Sequence, residues 1–196
     1  MPRRSRKRLI IGITGLPGAG KSTAAQAAQQ MGIPILVMGD FIRSKAEELG
    51  IEPTSRNLGR LMVKLRREHG EDVVAKMTIS AIEKLPDRVV VIDGIRSLAE
   101  VAAFRSSCTH FKLLAIEAPR ETRFHRLTKR LRSDDVRLWR DFARRDQREA
   151  KVGVGEAMSA SDAVITAKTP SELMDKTRSV LERVMRESGF SRQRQS

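Results

Sequence analysis

A glycine-rich loop between an apolar run and an alanine-rich segment has the residue types and spacing that chemistry on phosphates needs. Residues 15–22 read Gly-Leu-Pro-Gly-Ala-Gly-Lys-Ser and fit the pattern G-x-x-x-x-G-K-S/T. The run before it, residues 9–14, predicts a short buried strand, and residues 22–31 after it predict a helix. A strand, a glycine loop and a helix in this order direct backbone N–H groups and a helix N-terminus towards phosphate oxygens. The stretch therefore predicts a nucleotide-phosphate site.

Within this loop, two side chains have distinct expected roles. Lys21 would pair with the terminal phosphates, and the Ser22 hydroxyl would reach a Mg²⁺ ion. We expect ATP and Mg²⁺ to bind here. The predicted nucleotide-binding residues are Gly15, Leu16, Pro17, Gly18, Ala19, Gly20, Lys21, Ser22 and Thr23.

The length and composition of the chain limit the class of protein that carries this loop. The chain has 196 residues, which fits one domain, and a formal net charge of +14. A basic surplus is typical of nucleic-acid binding, but the chain has no Tyr and one Trp, so the aromatic residues of a base-stacking surface are missing. The charge is also concentrated in residues 120–148, where a segment that closes over phosphates would need it. A nucleic-acid partner is thus open but not favoured.

Other features indicate the compartment. Cys108 is the single cysteine, which excludes an internal disulfide and a cysteine-rich metal site. No apolar run approaches the roughly 20 residues of a membrane helix. The basic start leads directly into the first predicted strand without a cleavage site. The sequence predicts a cytoplasmic protein with no membrane partner, and it does not indicate an oligomeric state.

Strand and helix patterns alternate along the chain. Further strands are predicted at residues 34–38, 88–93, 111–117 and 162–166, with helices at 40–49, 57–69, 71–85, 97–107 and from a Thr169 cap onward. This order predicts an α/β fold in three layers, a parallel sheet of about five strands with helices on both faces. We expect a basic tail at residues 1–8, one domain at 9–188 with a short helical lid at about 120–148, and a polar tail at 189–196.

The segments after the loop carry a resemblance to a known family. They are Met38-Gly-Asp-Phe-Ile-Arg43, Asp93-Gly-Ile-Arg96 and Arg132-Ser-Asp-Asp135. With the glycine loop, they resemble the adenylate-kinase-related P-loop kinases, which include nucleoside monophosphate kinases and dephospho-CoA kinase. The chain looks closest to an archaeal branch of that group, over about residues 9–181. The resemblance implies the P-loop nucleoside triphosphate hydrolase type of parallel sheet.

The same resemblance implies an acceptor site. Arg43 would grip the acceptor phosphate through its planar fork, while Asp40 would face the reaction centre or serve only as a helix N-cap. Asp93 would hold Mg²⁺ as a Walker-B carboxylate does. Arg96 lies one position nearer to Asp93 than in adenylate kinases, which leaves the acceptor open. The predicted acceptor-binding residues are Asp40, Arg43, Asp93, Gly94 and Arg96, and the predicted metal ligands are Ser22 and Asp93.

Arginines dominate the predicted lid. Arg123, Arg126 and Arg130 are three and four residues apart, so they share one helix face. In the family that the chain resembles, such arginines close over the transferring phosphoryl group and stabilise its charge. The predicted catalytic residues are Lys21, Asp40, Arg126, Arg130, Arg132 and Arg144.

The resulting hypothesis is a phosphotransferase that moves the γ-phosphoryl group of ATP to a small nucleotide-like acceptor, of the nucleoside monophosphate or dephospho-CoA type. An acceptor phosphate is already a nucleophile, whereas an acceptor hydroxyl would need a base such as Asp40. The alternative is a nucleotide-binding regulatory or RNA-associated module with slow ATP hydrolysis, which the basic surplus favours. A GTP-binding switch is disfavoured because the chain has no N-K-x-D-like segment.

Overall fold

The computed structural model describes residues 7–130 and 137–190 and contains a five-stranded parallel sheet. The strands are β1 Leu9–Thr14, β2 Ile35–Val37, β3 Val89–Ile95, β4 His110–Glu117 and β5 Ala163–Thr166. Their order across the sheet is β2-β3-β1-β4-β5, and every neighbouring pair is parallel. The predicted parallel sheet of about five strands is confirmed.

Helices cover both faces of the sheet. They are α1 Lys21–Gln30, α2 Met38–Glu48, α3 Ser55–His69, α4 Val73–Lys84, α5 Leu98–Ser107, α6 Arg120–Lys129, α7 Trp139–Val152, α8 Val154–Ser159 and α9 Pro170–Glu187. No helix in the described part of the chain combines the length and apolar character needed to cross a membrane.

Strand β1 shows why the sheet needs two helical layers. All six of its residues are buried, and successive side chains point to opposite faces. Leu9, Ile11 and Ile13 join the core beneath α1 and α9. Ile10 joins the second core, beneath α2, α4 and α5. The near-continuous apolar run is thus a strand buried on both sides, as parallel sheets require.

The ends of two helices test the predicted boundaries. The Thr169 hydroxyl accepts a hydrogen bond from the Glu172 N–H at 3.1 Å, and Glu172 accepts one from the Lys168 N–H at 2.8 Å, so the predicted cap of α9 is confirmed. Asp40, by contrast, is not an N-cap. Helix α2 begins at Met38 directly after β2, with Val37 in the cap position, and Asp40 lies inside its first turn.

Both ends of the described chain are held by side chains. Arg8 donates hydrogen bonds to the carbonyls of Ile82, at 2.5 Å, and of Leu85, at the end of α4. Phe190 is buried and packs edge-on against His110, with ring centroids 5.6 Å apart. The packed chain therefore extends two residues past the predicted domain end at 188. The rest of the predicted tails, residues 1–6 and 191–196, lies outside the described residues.

Candidate active site

A cavity of about 290 Å³, called the main cavity below, opens at the carboxyl edge of the sheet. The glycine loop, the end of β3, α2 and the two helices of the lid, α6 and α7, line it. It brings together these sequence-predicted residues: Gly15, Pro17, Gly18, Gly20, Lys21, Ser22, Thr23, Arg43, Asp93, Gly94, Arg96, Arg126 and Arg130. Leu16 and Ala19 point to another pocket, beside β4 and α6.

The loop needs glycine at two of these positions for different reasons. Gly20 is the N-cap of α1 with φ at +115°, a left-handed conformation that other residues rarely adopt. Gly18 lies directly against α6, where an added Cβ would collide with the backbone carbonyl of Arg123. The loop thus turns into α1 while it touches the base of the lid.

Lys21 lines the main cavity. Its Nζ donates hydrogen bonds to the carbonyls of Gly15, at 2.7 Å, and Leu16, at 3.2 Å. Burial lowers the pKa of Lys21 to about 8, and the positive charge of Arg96 and Arg145 acts in the same direction, against Asp93 and Glu149. The ammonium is thus held at the inner side of the loop, where a phosphate group would face it.

Ser22 and Asp93, the two predicted metal ligands, lie at the same edge of the sheet. Both line the main cavity and also an adjoining open groove beside α1 and β2, called the outer groove below. Asp93 of β3 pairs with Ile13 of β1 and with Val37 of β2, so it lies at the edge of the sheet where these three strands end. Among the described residues, no group of three or more His, Cys, Asp or Glu side chains is arranged so that it could hold a metal ion. A hydroxyl and one carboxylate suit Mg²⁺, which usually takes its other ligands from phosphates and water.

Asp40 and Arg43 form an ion pair on α2. Arg43 Nη1 is 2.5 Å from Asp40 Oδ1, with side chains that are 36% and 65% exposed. Arg43 lines the main cavity, whereas Asp40 lines the outer groove and not the main cavity. The structure therefore brings the arginine to the predicted acceptor site and leaves the carboxylate at its outer side.

Arg96 is oriented by a network beneath the cavity. Its backbone N–H donates to Glu100 Oε2 at 2.7 Å, and Glu100 Oε1 accepts a bond from Arg66 Nη2 at 2.9 Å. Arg66 and Glu100 are both buried. Burial raises the pKa of Glu100, while Arg66 and the Arg96 N–H oppose that shift. Because Glu100 also belongs to α5, capped by Ser97, the turn after Asp93 is fixed to the core.

Arg123, Arg126 and Arg130, predicted to share one helix face, divide into two groups, and Arg130 lies just past the end of α6 in an extended conformation. Arg126 and Arg130 line the main cavity, and Arg126 Nη1 donates to the Ala19 carbonyl at 2.7 Å. Arg123 is buried deeper and donates to Asp146 on α7 and to the Pro17 carbonyl. The predicted catalytic residue Arg132 lies outside the described residues.

Arg144 is not brought to the cavity. Its side chain is 77% exposed, 3.8 Å from Asp141. The buried anchor of α7 is Phe142, and two residues further along a helix the side chain points about 200° away. Arg145 and Glu149, three and seven residues after Phe142, line the main cavity instead. Their place in the cavity depends on Phe142 fixing the rotation of α7, which the local spacing of residues in the sequence does not reveal.

A second, smaller pocket adjoins the main cavity between α2, α3 and α7, and is called the side pocket below. Its volume is about 80 Å³. Ile42, Leu58 and Met62 form an apolar wall, and Arg148 is among the arginines around it. Sequence reasoning missed this pocket, because it depends on how α3 packs against α7.

The order of the strands, the glycine loop after β1 and the two-helix lid together define a P-loop kinase-like domain. The family described as an AAA domain (AAA_17) matches residues 14–140. A UPF0200 protein of Methanothrix thermoacetophila is 42% identical over 181 residues, covering 90% of this chain and 98% of that protein. Another, of Hyperthermus butylicus, is 43% identical over 158 residues, covering 81% and 84%. The chain belongs to the AAA_17 family and to the UPF0200 proteins.

Solved structures show the same fold. A Thermus thermophilus protein, TT1252, superposes with a TM-score of 0.65 at 23% identity, over 93% of this chain and 98% of its own. A shikimate kinase of Acinetobacter baumannii in complex with shikimate gives 0.58 at 15% identity, over 93% and 95%. A gluconokinase of Sinorhizobium meliloti gives 0.55 at 14% identity, over 96% and 98%. The predicted P-loop kinase fold is confirmed.

Proposed function

We propose that this protein is an ATP-dependent phosphotransferase that moves the γ-phosphoryl group to a small nucleotide-like acceptor, of the nucleoside monophosphate or dephospho-CoA type. The observation that carries the proposal is that charged side chains from the loop, the strand end and the lid meet in one cavity. The loop lysine Lys21, the strand-end residues Asp93 and Arg96, and the lid residues Arg126 and Arg130 all line one cavity.

The donor would bind along the glycine loop. Phosphoryl transfer depends on positioning and charge stabilisation rather than on a reactive side chain. Lys21 would contact the terminal phosphates, with the backbone N–H groups at the start of α1 beside it. Arg126 and Arg130 would face the transferring group from the lid, where positive charge stabilises the transition state.

Magnesium fits the residues at the edge of the sheet. Ser22 and Asp93 would hold it directly or through water, and both line the main cavity where the phosphates would lie. When bound, Mg²⁺ would neutralise charge that develops between the β- and γ-phosphates.

The acceptor would enter from the side of α2. Arg43 and Arg96 line both the main cavity and the side pocket, so an anionic acceptor held there would face the loop. Arginine suits this role because its planar fork binds phosphate or carboxylate oxygens in pairs. Arg132, which lies outside the described residues, stays a prediction, and the exposed Arg144 is given no role in this arrangement.

A transfer screen tests the proposal. Wild-type protein with Mg²⁺ and ATP carrying a radioactive γ-phosphate would be offered nucleoside monophosphates, dephospho-CoA, shikimate, gluconate and RNA ends. We expect labelling of a nucleoside monophosphate or of dephospho-CoA well above the release of inorganic phosphate, and labelling of shikimate, gluconate or RNA ends alone would contradict the nucleotide-like class of acceptor. Release of phosphate with no labelled acceptor would contradict the proposal and favour the regulatory or RNA-associated alternative.

A further inference from the structure

Glu149 stands at the passage between the main cavity and the side pocket. It lines both, together with Gly39, Arg43, Arg96 and Arg145. Of the described residues that line both pockets, Glu149 is the one that carries a carboxylate. Its side chain is 8% exposed, and its Oε2 is 3.5 Å from Arg96 Nε. A buried carboxylate between a phosphate loop and an arginine-lined pocket is an unusual neighbour for phosphates, because like charges repel there.

The surroundings of Glu149 keep it ionised. Burial alone would favour its protonated form, but Arg96, Arg145, Lys21 and Arg148 outweigh that effect and hold the pKa below its usual value. The carboxylate is therefore a hydrogen-bond acceptor at neutral pH. A group that contacts the Glu149 carboxylate itself is favoured when it donates a hydrogen bond or carries positive charge.

An acceptor phosphate and an acceptor hydroxyl differ in this respect. A phosphate dianion placed in the passage would face the Glu149 carboxylate without a proton to share. A hydroxyl would donate its proton towards Glu149 and present its oxygen to the loop. The arginines around the side pocket, among them Arg43 and Arg148, would meanwhile hold an anionic group elsewhere on the same molecule.

We propose that Glu149 accepts the proton of an acceptor hydroxyl, and that the acceptor is an anionic molecule phosphorylated on a hydroxyl group. The inference rests on the proposed function and selects the hydroxyl class within it. Asp40, the base expected from the sequence, is 65% exposed and lines only the outer groove. Glu149 is the better placed of the two, because it is buried where both pockets meet.

The step balances without a further reactant. The hydroxyl oxygen attacks the γ-phosphorus and forms the new P–O bond, while the bond from that phosphorus to the bridging oxygen breaks. The electron pair of the broken bond goes to the β-phosphate oxygen of ADP. The hydroxyl proton goes to the Glu149 carboxylate and then to solvent.

Matched variants test the role. Glu149→Gln keeps the shape of the side chain and removes the proton acceptor, Glu149→Asp keeps the carboxylate, and Glu182→Gln on the exposed side of α9 is the control. With dephospho-CoA as the acceptor, we expect Glu149→Gln to lower kcat by about 10²-fold or more, the range of general-base catalysis. The loss should appear in kcat much more than in the KM for ATP, and Glu149→Asp should restore part of the rate.

The pH profile separates proton transfer from a structural role. Without the carboxylate, the residual rate should rise with pH, because solvent base must take the proton, and wild type should lack that rise. The inference would be overturned if nucleoside monophosphates were labelled at their phosphate and Glu149→Gln were as active as wild type in that reaction. The proposed function would still stand. No transfer by wild type to either class of acceptor would overturn both.

Discussion

Arg123 of α6 donates two hydrogen bonds to the carboxylate of Asp146 of α7, from Nη1 to Oδ1 at 2.5 Å and from Nη2 to Oδ2 at 2.8 Å. The two side chains are 5% and 12% exposed. Arg123 also donates to the Pro17 carbonyl at 3.2 Å, and Phe142 lies under its guanidinium at 5.3 Å. One arginine thus joins both helices of the lid to the glycine loop.

Removal of Asp146 should destabilise the fold. Asp146→Ala leaves the Arg123 charge buried without its carboxylate, and the loss of one partner of a buried pair typically costs about 3–5 kcal/mol. Denaturant unfolding measures the free energy of unfolding. Asp141→Ala, which breaks exposed pairs with Arg140 and Arg144, is the control and should cost about 0–1 kcal/mol. Equal losses in the two variants would show that the Arg123–Asp146 pair does not hold the lid.

ATP binding should weaken as pH rises through about 8. In the ligand-free protein the pKa of Lys21 is lowered to about 8, chiefly by burial. Bound phosphates favour the charged lysine, so ATP binding above that pH must take up a proton, and affinity falls by up to about tenfold per pH unit. Calorimetry at pH 7 and pH 9 measures the change. Lys21→Arg, which stays charged, is the control, and an equal loss of affinity in wild type and control would contradict this role.

Arg43, predicted to bind the acceptor, and Arg144, predicted to be catalytic, should differ in the effect of their removal. Arg43→Ala removes a charge that lines both the main cavity and the side pocket, so it should raise the KM for the acceptor about tenfold or more. Arg144→Ala, at an exposed position, should leave kcat and KM within about twofold. Steady-state kinetics with one acceptor decides between them. A larger defect in Arg144→Ala would show that α7 rotates or moves during turnover.

Sequence patterns predicted the parts of the fold and of the site that short stretches of the sequence determine. The glycine loop, the run of β-branched residues before Asp93 and the cap at Thr169 each depend on neighbouring residues, and the structure shows the loop, the strand and the cap. Glu149 and the side pocket could not be found in this way. Their position depends on Phe142 fixing the rotation of α7 and on α3 packing opposite, and such long-range packing leaves little trace in local spacing.

Nucleotide binding should order α7 more than the centre of the sheet. Arg145 and Glu149 on α7 line the main cavity, whereas β3 is already buried between β1 and β2 and should exchange only on global unfolding. With ATP, Mg²⁺ and an acceptor bound, amide hydrogen exchange should slow more in Trp139–Val152 than in Val89–Ile95. Equal protection of α7 with and without ligands would mean that the lid is a fixed surface.

We propose that the protein transfers a phosphoryl group from ATP bound at the glycine loop to an acceptor, and the variant Lys21→Ala tests this proposal. Lys21 stabilises charge that develops as the γ-phosphoryl group moves, so its loss should lower the rate of label transfer from ATP to the acceptor by about 10²-fold or more. Lys64→Ala, on the exposed face of α3, is the matched control and should keep the wild-type rate. We expect a large loss of rate in Lys21→Ala and not in the control, and an unchanged rate in Lys21→Ala would contradict phosphoryl transfer at the glycine loop.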